Sequence, residues 1–406
     1  YVLYVVVDST RRAKDTDQIE GYFLANKSLP WWVVGLSVMA TQLSAITMIG
    51  TTGQGAEDGL RFVQFYFGLP LAMVILGVTL VPFLHGSKVF TAYEYLEKRF
   101  DARTRSLTSF LFLLSRGMGA GTILAAPAVV FSAVFGWPLA WTVALIGIPT
   151  VLYTMVGGVQ AVAWADVKQM VLIVFALVSM VLVLLFKMPV NPDEALQIAG
   201  ATGRLQVFDF SFSLTNTYTF WSGIIGGTFL MLSYFGTDQS QVQRYLAARS
   251  VDEARSSLLM SAYWKIPLQA LVLLVGVLVF VYYQFQAPPL LYNPAHETEV
   301  QAELGEAYAE LEGRYQNAFT LREEAALQVA EADDAGISSE AAMAAFRARE
   351  ADIQEIRGEA LTMAEEVTGE SSRDVNYIIP RFVLGELPIG LAGIFIAGVL
   401  AAAMSS

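Results

Sequence analysis

The sequence predicts an all-α, polytopic membrane protein, and three observations carry that prediction. Of 406 residues, 55% are hydrophobic and only 15% charged; apolar runs of membrane-crossing length recur along the chain; and polar residues gather inside some of those runs. A soluble chain of this length would divide into two or three globular domains and carry more charge. With no cysteine and two isolated histidines, His85 and His296, the chain has neither a disulfide framework nor a thiolate or His-rich metal site.

A hydrocarbon core of about 30 Å takes roughly 17 to 25 helical residues. Such runs are read at 31–50, 62–84, 107–135, 139–156, 167–186, 220–235 and 258–285, with a short one at 1–7 and a last one opening near Tyr377. The first residue lies inside an apolar run and the final run is unfinished, so the sequence predicts a chain that continues at both ends. Loop charge orients the runs. Arg11, Arg12, Lys14 and Lys27 share one connection, Lys88, Lys98, Arg99, Arg103 and Arg105 another, and Arg244, Arg249 and Arg255 a third on the same side. By the positive-inside rule that side is cytoplasmic.

The net charge of −12 is local. Residues 286–374 hold 20 acids against 6 bases, and the rest of the chain is nearly neutral. Nothing in it forms the basic stripe that a phosphate backbone requires, so no nucleic-acid partner is expected. The acidic segment, AELGEAYAELEGRYQ and later EAAMAAFRAREADIQEIRGEALTMAEEV, is rich in Ala, Glu, Leu and Arg and predicts an extracytoplasmic two-helix hairpin turning near Gly336. Charge of this kind needs only solvent and a partner helix. The division expected is a membrane domain over 1–285, the insertion over 286–374 and a further membrane helix over 375–406.

Polar residues inside the runs are the functional candidates. ATQLSAITMIG places Thr41, Gln42, Ser44 and Thr47 at membrane depth, where they serve either interhelical hydrogen bonds or a ligand at a helix break. The terminal AAAMSS combines small residues with adjacent hydroxyls, a surface suited to a hard monovalent cation or to tight helix packing. Arg116, within LFLLSRGMGAGTILAAP, offers a fork for a carboxylate, or it pairs with a neighbouring helix. Asp166 stands where a turn enters a helix and reads as either a cap or an ion ligand. Tyr234 is a cavity gate or an interfacial aromatic, next to Gly236, which would permit a helix break. No paired carboxylates with a base, and no nucleophile motif, point to an enzyme.

The stretches KSLPWWVVGLSVMATQLSAITMIG, TAYEYLEKRF, GGVQAVAWADVKQM, SYFGTDQSQVQRYLA and AAAMSS, in that order, resemble the sodium/solute symporter family, which includes the galactose, proline and sialic acid symporters. The resemblance implies a fold of two inverted five-helix repeats behind an extra amino-terminal helix, with the second repeat incomplete in this sequence. It also implies a sodium site formed by the carbonyls of Ala40, Leu43 and Ala402 and the hydroxyls of Ser405 and Ser406. Asp166 matches an acidic position that helps to hold a second sodium, and Tyr234 an inner gate. Where galactose symporters carry Glu and Gln, this chain has Ile46 and Thr47, and a second sugar-binding Glu position is Tyr66. The resemblance is therefore nearer to sialic acid symporters, with Ser44, Thr47 and Arg116 holding a carboxylated solute and Phe62 and Tyr66 facing it. The function implied is sodium-coupled import across a bacterial inner membrane, with Na+, the solute and the lipid bilayer as partners. Sugar or amino-acid symport, and a sensory protein on the same fold, are the alternatives.

Overall fold

The structure is a computed structural model that describes residues 7–8, 19–334, 340–371 and 373–405. Residues 1–6, Arg11, Arg12, Lys14, Gly336 and Ser406 lie outside them. The described chain is helical, with one isolated bridge between Leu29 and Ala248.

Helix α1, Trp31–Gln42, follows Pro30 and stops at Leu43, whose φ of −102° and ψ of 80° leave the helical region. Local chemistry accounts for the stop. Thr41 donates to the Ser37 carbonyl (2.9 Å), and the Ser44 hydroxyl accepts from the Thr47 amide (3.4 Å). Such side-chain bonds compete with the helix ladder. The chain resumes as a π-helical turn, Thr47–Thr51, and α2, Thr52–Asp58, so the run expected over 31–50 is two half-helices joined at a break. The 3₁₀ segment Gly59–Tyr66 leads to α3, Leu69–Val78.

Helix α4, Ala102–Phe135, is capped by Asp101, whose carboxylate accepts from the Thr104 amide at 2.7 Å. The two runs expected at 139–156 and 167–186 form one helical stretch, α5, Leu139–Lys187, turned at Gly158. There φ is +56°, and a Cβ would sit 2.6 Å from the Tyr22 carbonyl oxygen, so glycine is required on both counts. Helix α6, Gly227–Thr237, runs through Gly236 without a break. The chain turns at Asp238 instead, because that side chain caps α7, Gln239–Leu246, by accepting from the Ser240 amide (2.8 Å). Helix α8, Val251–Phe285, opens at Ser250, whose hydroxyl accepts from the Glu253 amide.

Among the described residues, four helical stretches are long and apolar enough to cross a membrane: Thr47–Gly86, Ala102–Ser132, Leu139–Lys187 and Val251–Phe285. Ile389–Ser405, α12, is shorter. Helices α4 and α5 turn large apolar side chains outward, among them Leu113 (67% exposed), Met118 (70%) and Trp141 (74%). An apolar exterior of this extent suits lipid, not water.

The two rims of the helix bundle differ. On one, Arg249 donates to the Ser28 carbonyl (2.9 Å), Arg255 to that of Gly77 (2.7 Å) and Lys98 to that of Lys88 (3.4 Å), which gathers the basic loops. On the other, Arg204 donates to the Ala56 carbonyl (2.9 Å), beside the hairpin helices α9, Gly305–Asp334, and α10, Glu340–Thr368. Those helices share a core of Tyr308, Leu311, Tyr315, Ile353 and Ala360. Arg322 donates to the Tyr283 carbonyl at the end of α8 (2.7 Å), and Arg357 bonds Asp374 (3.1 Å) just before α11, Val375–Glu386.

Candidate functional site: a cavity at the helix break

Where α1 stops, a cavity of about 320 Å³ opens, lined by Thr41, Gln42, Ser44, Tyr66, Arg116 and Tyr234 together with Ile123 and Met231. Ser44, Tyr66, Arg116 and Tyr234, singled out from the sequence, thus meet in one place. Thr47 stands one turn behind Ser44, their hydroxyls 3.5 Å apart. Phe62 is not among the lining residues: it stacks on Phe65 and meets Tyr218 edge-on, with ring centroids 5.7 and 5.0 Å away.

Arg116 is partly engaged, its guanidinium lying 3.8 Å from the Asp238 carboxylate. The Tyr234 hydroxyl accepts from the Gln241 amide at 2.7 Å. A second cation, missed in the sequence, lies behind two of the lining residues, Gln42 and Tyr66. Lys265 of α8 is wholly buried, donates to the Gln42 carbonyl (3.2 Å) and lies 5.1 Å from the Tyr66 ring centroid. Among the described residues no carboxylate pairs with it. The broken end of α1 explains its position, since carbonyls left without amide partners attract a cation. Its sequence signal was the rule that flagged Arg116, an ionisable residue inside an apolar run.

On the basic-rim side a second cavity of about 320 Å³ is lined by Ser37, Arg116, Tyr153, Ser240, Arg244 and Ser405, among others. Beside it Asp166 is completely buried. Ser37 donates to one carboxylate oxygen (2.5 Å) and Ser405 to the other (2.7 Å), and Arg244 approaches to 3.5 Å. Arg244 also donates to the Ser37 hydroxyl (3.0 Å) and to the Ser240 carbonyl. The capping reading of Asp166 therefore gives way: the residue lies inside α5 and joins α1, α7 and α12. Ser37 and Arg244 were not singled out as site residues, the first looking bland in an apolar helix and the second serving only as a loop charge.

Ala40, Leu43 and Ala402 are buried in one cluster. The Ala40 carbonyl accepts from the Leu43 amide (3.0 Å) and retains a second lone pair. Next to Ser405, the Met404 carbonyl accepts from Tyr153 at 2.6 Å.

The profile of the sodium:solute symporter family matches residues 22–308. The human sodium/iodide cotransporter is 30% identical over 272 residues, 67% of this chain and 42% of that protein. The human sodium-coupled monocarboxylate transporter 1 is 34% identical over 225 residues, 55% of this chain and 37% of its own length. The chain thus spans less than half the length of these relatives, which by name are transporters and not enzymes. A solved structure, described as the substrate-bound outward-open state of a Na+-coupled sialic acid symporter, aligns over 100% of this chain and 69% of its own, with a TM-score of 0.75 and 23% identity. That likeness establishes a transporter fold. With its apolar helices, the chain is an integral, multi-pass membrane protein and belongs to the sodium:solute symporter family.

Proposed function

We propose that the protein is a sodium-coupled symporter that imports a small carboxylated organic anion by alternating access. The observation that carries the reading is a pair of cations at the broken end of α1: Lys265, buried behind Gln42 and Tyr66, and Arg116 in the wall of the cavity that opens there. Desolvating a charge is costly unless something answers it, and an anion bonded to Ser44 and Arg116, with the Lys265 charge behind Gln42 and Tyr66, would do so. The names of the relatives fit, since iodide, monocarboxylates and sialic acid are all anions. Sialic acid is the narrower reading; the monocarboxylate relatives favour testing smaller acids as well.

The ion site proposed comprises Ala40, Leu43, Ala402, Ser405 and Ser406, with Asp166 behind it. Because Ser405 gives its proton to Asp166, its oxygen lone pairs are left for a cation. Sodium there would tie α1 to α12 and favour the outward-facing form, coupling through its differential affinity for the two conformations. Each inward charge gains about 2.3 kcal/mol per 100 mV of inside-negative potential. Solute then binds beside Ser44 and Thr47, Tyr234 leaves the inward path, and sodium departs past Asp166 through the cavity on the basic rim.

The reading includes the five-plus-five inverted repeat behind an extra helix, the membrane parts over 1–285 and 375–406, the extracytoplasmic insertion over 286–374, and a bacterial inner membrane. The test is uptake by the full-length protein in proteoliposomes under inward sodium or potassium gradients, with sialic acid, pyruvate, galactose and proline. Sodium-dependent accumulation of an acid supports the reading. Accumulation of galactose or proline alone would replace the solute class, and the absence of sodium-dependent uptake of all four would overturn it.

A further inference from the structure

Residues 205–221, LQVFDFSFSLTNTYTFW, lead into α6 from the rim opposite the basic loops, and Asp209 is their one charged side chain. From Phe208 onward apolar residues alternate with short polar ones, which sets Phe208, Phe210, Phe212 and Leu214 on one side of extended chain. The rings of Phe208 and Phe210 lie parallel, 5.7 Å apart. All four side chains are exposed, Phe212 to 78% and Leu214 to 95%.

The backbone beneath them is fastened. Gln64, buried in the 3₁₀ segment, accepts from the Asp209 amide (3.0 Å) and donates to the Tyr218 carbonyl (3.2 Å). The Phe220 amide donates to the Asp209 carbonyl (2.7 Å), which closes the neck of a compact loop. At its tip the Ser213 hydroxyl accepts from the amides of Thr215 (3.2 Å) and Asn216 (3.1 Å). The apolar side chains are thus held outward by hydrogen bonds made behind them.

The patch also continues two apolar stripes. Phe208 meets Phe67 with ring centroids 5.6 Å apart, and beyond Phe67 the exposed side chains of Leu71, Val74 and Val78 follow along α3. Trp221 donates its indole N–H to the Phe210 carbonyl (3.1 Å), and the exposed Ile225 and Phe229 follow it into α6. Both stripes belong to the apolar exterior that suits lipid. The irregular backbone of the loop cannot itself enter hydrocarbon, where its amides would find no partners. At the headgroup level water still reaches the backbone while Phe and Leu side chains enter the acyl boundary.

We propose that residues 208–214 are a membrane-interface anchor, whose Phe210, Phe212 and Leu214 side chains insert into the headgroup–acyl boundary of the leaflet on that rim. Lipid is the occupant because the patch runs on into two lipid-facing stripes and its outward side carries no charge. Interfacial anchors set the tilt and depth of the helix they adjoin, here α6. The anchor does not rest on the transport reading, since neither sodium nor solute takes part.

The test uses nitroxide labels on the full-length protein in nanodiscs. The 406 residues contain no cysteine, so an introduced one is a unique position among them, and the parent treated alike supplies the background. Phe212→Cys and Leu214→Cys are compared with Phe229→Cys on the exposed face of α6 and with Glu310→Cys on the exposed surface of α9. Power-saturation EPR reads collisions with oxygen, which concentrates in lipid, and with a water-soluble nickel chelate. At 212 and 214 oxygen should dominate, with an oxygen-to-nickel ratio severalfold above that at 310 and below that at 229. A ratio equal to that at 310 would place the loop in water, and low collision rates with both reagents would mean that protein covers it; either would overturn the proposal. Both positions are exposed, so labelling should spare the fold, and matching elution of labelled and parent protein checks this.

Discussion

Ser405 donates to Asp166 across 2.7 Å, and Ser37 donates to the same carboxylate from the opposite helix. One buried acid in α5 thereby joins the end of α12 to the middle of α1. Ser405→Ala should raise the sodium concentration for half-maximal uptake about 10-fold, through loss of one ligand and of a buried bond worth ~1–3 kcal/mol. Initial rates against sodium in proteoliposomes read this directly, and an unchanged sodium curve would remove Ser405 from the ion site.

Asp166→Asn keeps the shape but leaves Arg244, 13% exposed, without its counter-charge. Breaking a buried pair on one side costs about 3 kcal/mol or more. The variant should melt at lower temperature in detergent and respond less steeply to sodium. A double variant that also carries Arg244→Gln should recover part of the stability without recovering uptake.

Lys265→Met separates function from folding. Removing an unpaired buried charge should leave stability unchanged or raised, because the cost of desolvating the amine disappears. Loss of the positive charge behind Gln42 and Tyr66 predicts a rise of roughly 10-fold in the KM for an acidic solute, the scale of a charge pair a few ångströms apart across protein. Thermal unfolding and uptake measured on the same preparation check both halves; a destabilised variant would mean that Lys265 serves packing.

Gly276 of α8 lies where any Cβ would overlap the Thr52 carbonyl, and Gly55 of α2 stands in the same relation to Leu273. Gly276→Val should therefore prevent folded protein from accumulating. Gly358→Ala, in the middle of α10 with nothing within 4 Å of the added carbon, should stabilise by about 0.5–1 kcal/mol. Yield and melting temperature of the two variants make the comparison.

In the hairpin, Arg314 donates both terminal nitrogens to Glu359 (2.7 and 2.8 Å), which holds that carboxyl below its ordinary value of 4.5. A depressed folded-state value means the contribution is complete above pH 4.5 and is lost as pH falls through the lower, folded value. Amide protection in α9 and α10 should thus be slightly greater in the parent than in Glu359→Gln at pH 6, and the difference should vanish in acid.

Ser44, Arg116 and Tyr234 could be read in the sequence because a polar or charged group inside an apolar run contradicts its solvent, and only a local partner or a ligand resolves the contradiction. Lys265 obeys the same rule but was absorbed by a run otherwise strongly apolar. Asp166 was ambiguous because the sequence places Gly157 and Gly158 near it without saying which residue turns the chain; the turn at Gly158 leaves Asp166 a full two turns inside α5. Phe62, which the resemblance set beside Tyr66 facing the solute, lies apart from the cavity lining for a geometric reason. The segment Gly59–Tyr66 is 3₁₀, so its side chains advance by 120° per residue and not 100°, and residues four apart such as Phe62 and Tyr66 do not share a face. Ser37 carried no signal at all, since its partners arrive from α5 and α7.

The contact of α2 with α8 has a mechanical meaning. At Gly55 and Gly276 backbone meets backbone, and no side chains lie between that could change rotamer to let the two slide. In the proposed cycle α2 and α8 would therefore travel as one lever. Any bending that the proposed cycle demands would fall on the nearest compliant joint, the unwound residues after Gln42, so the proposed hinge and the cavity at the helix break would share one point of the chain.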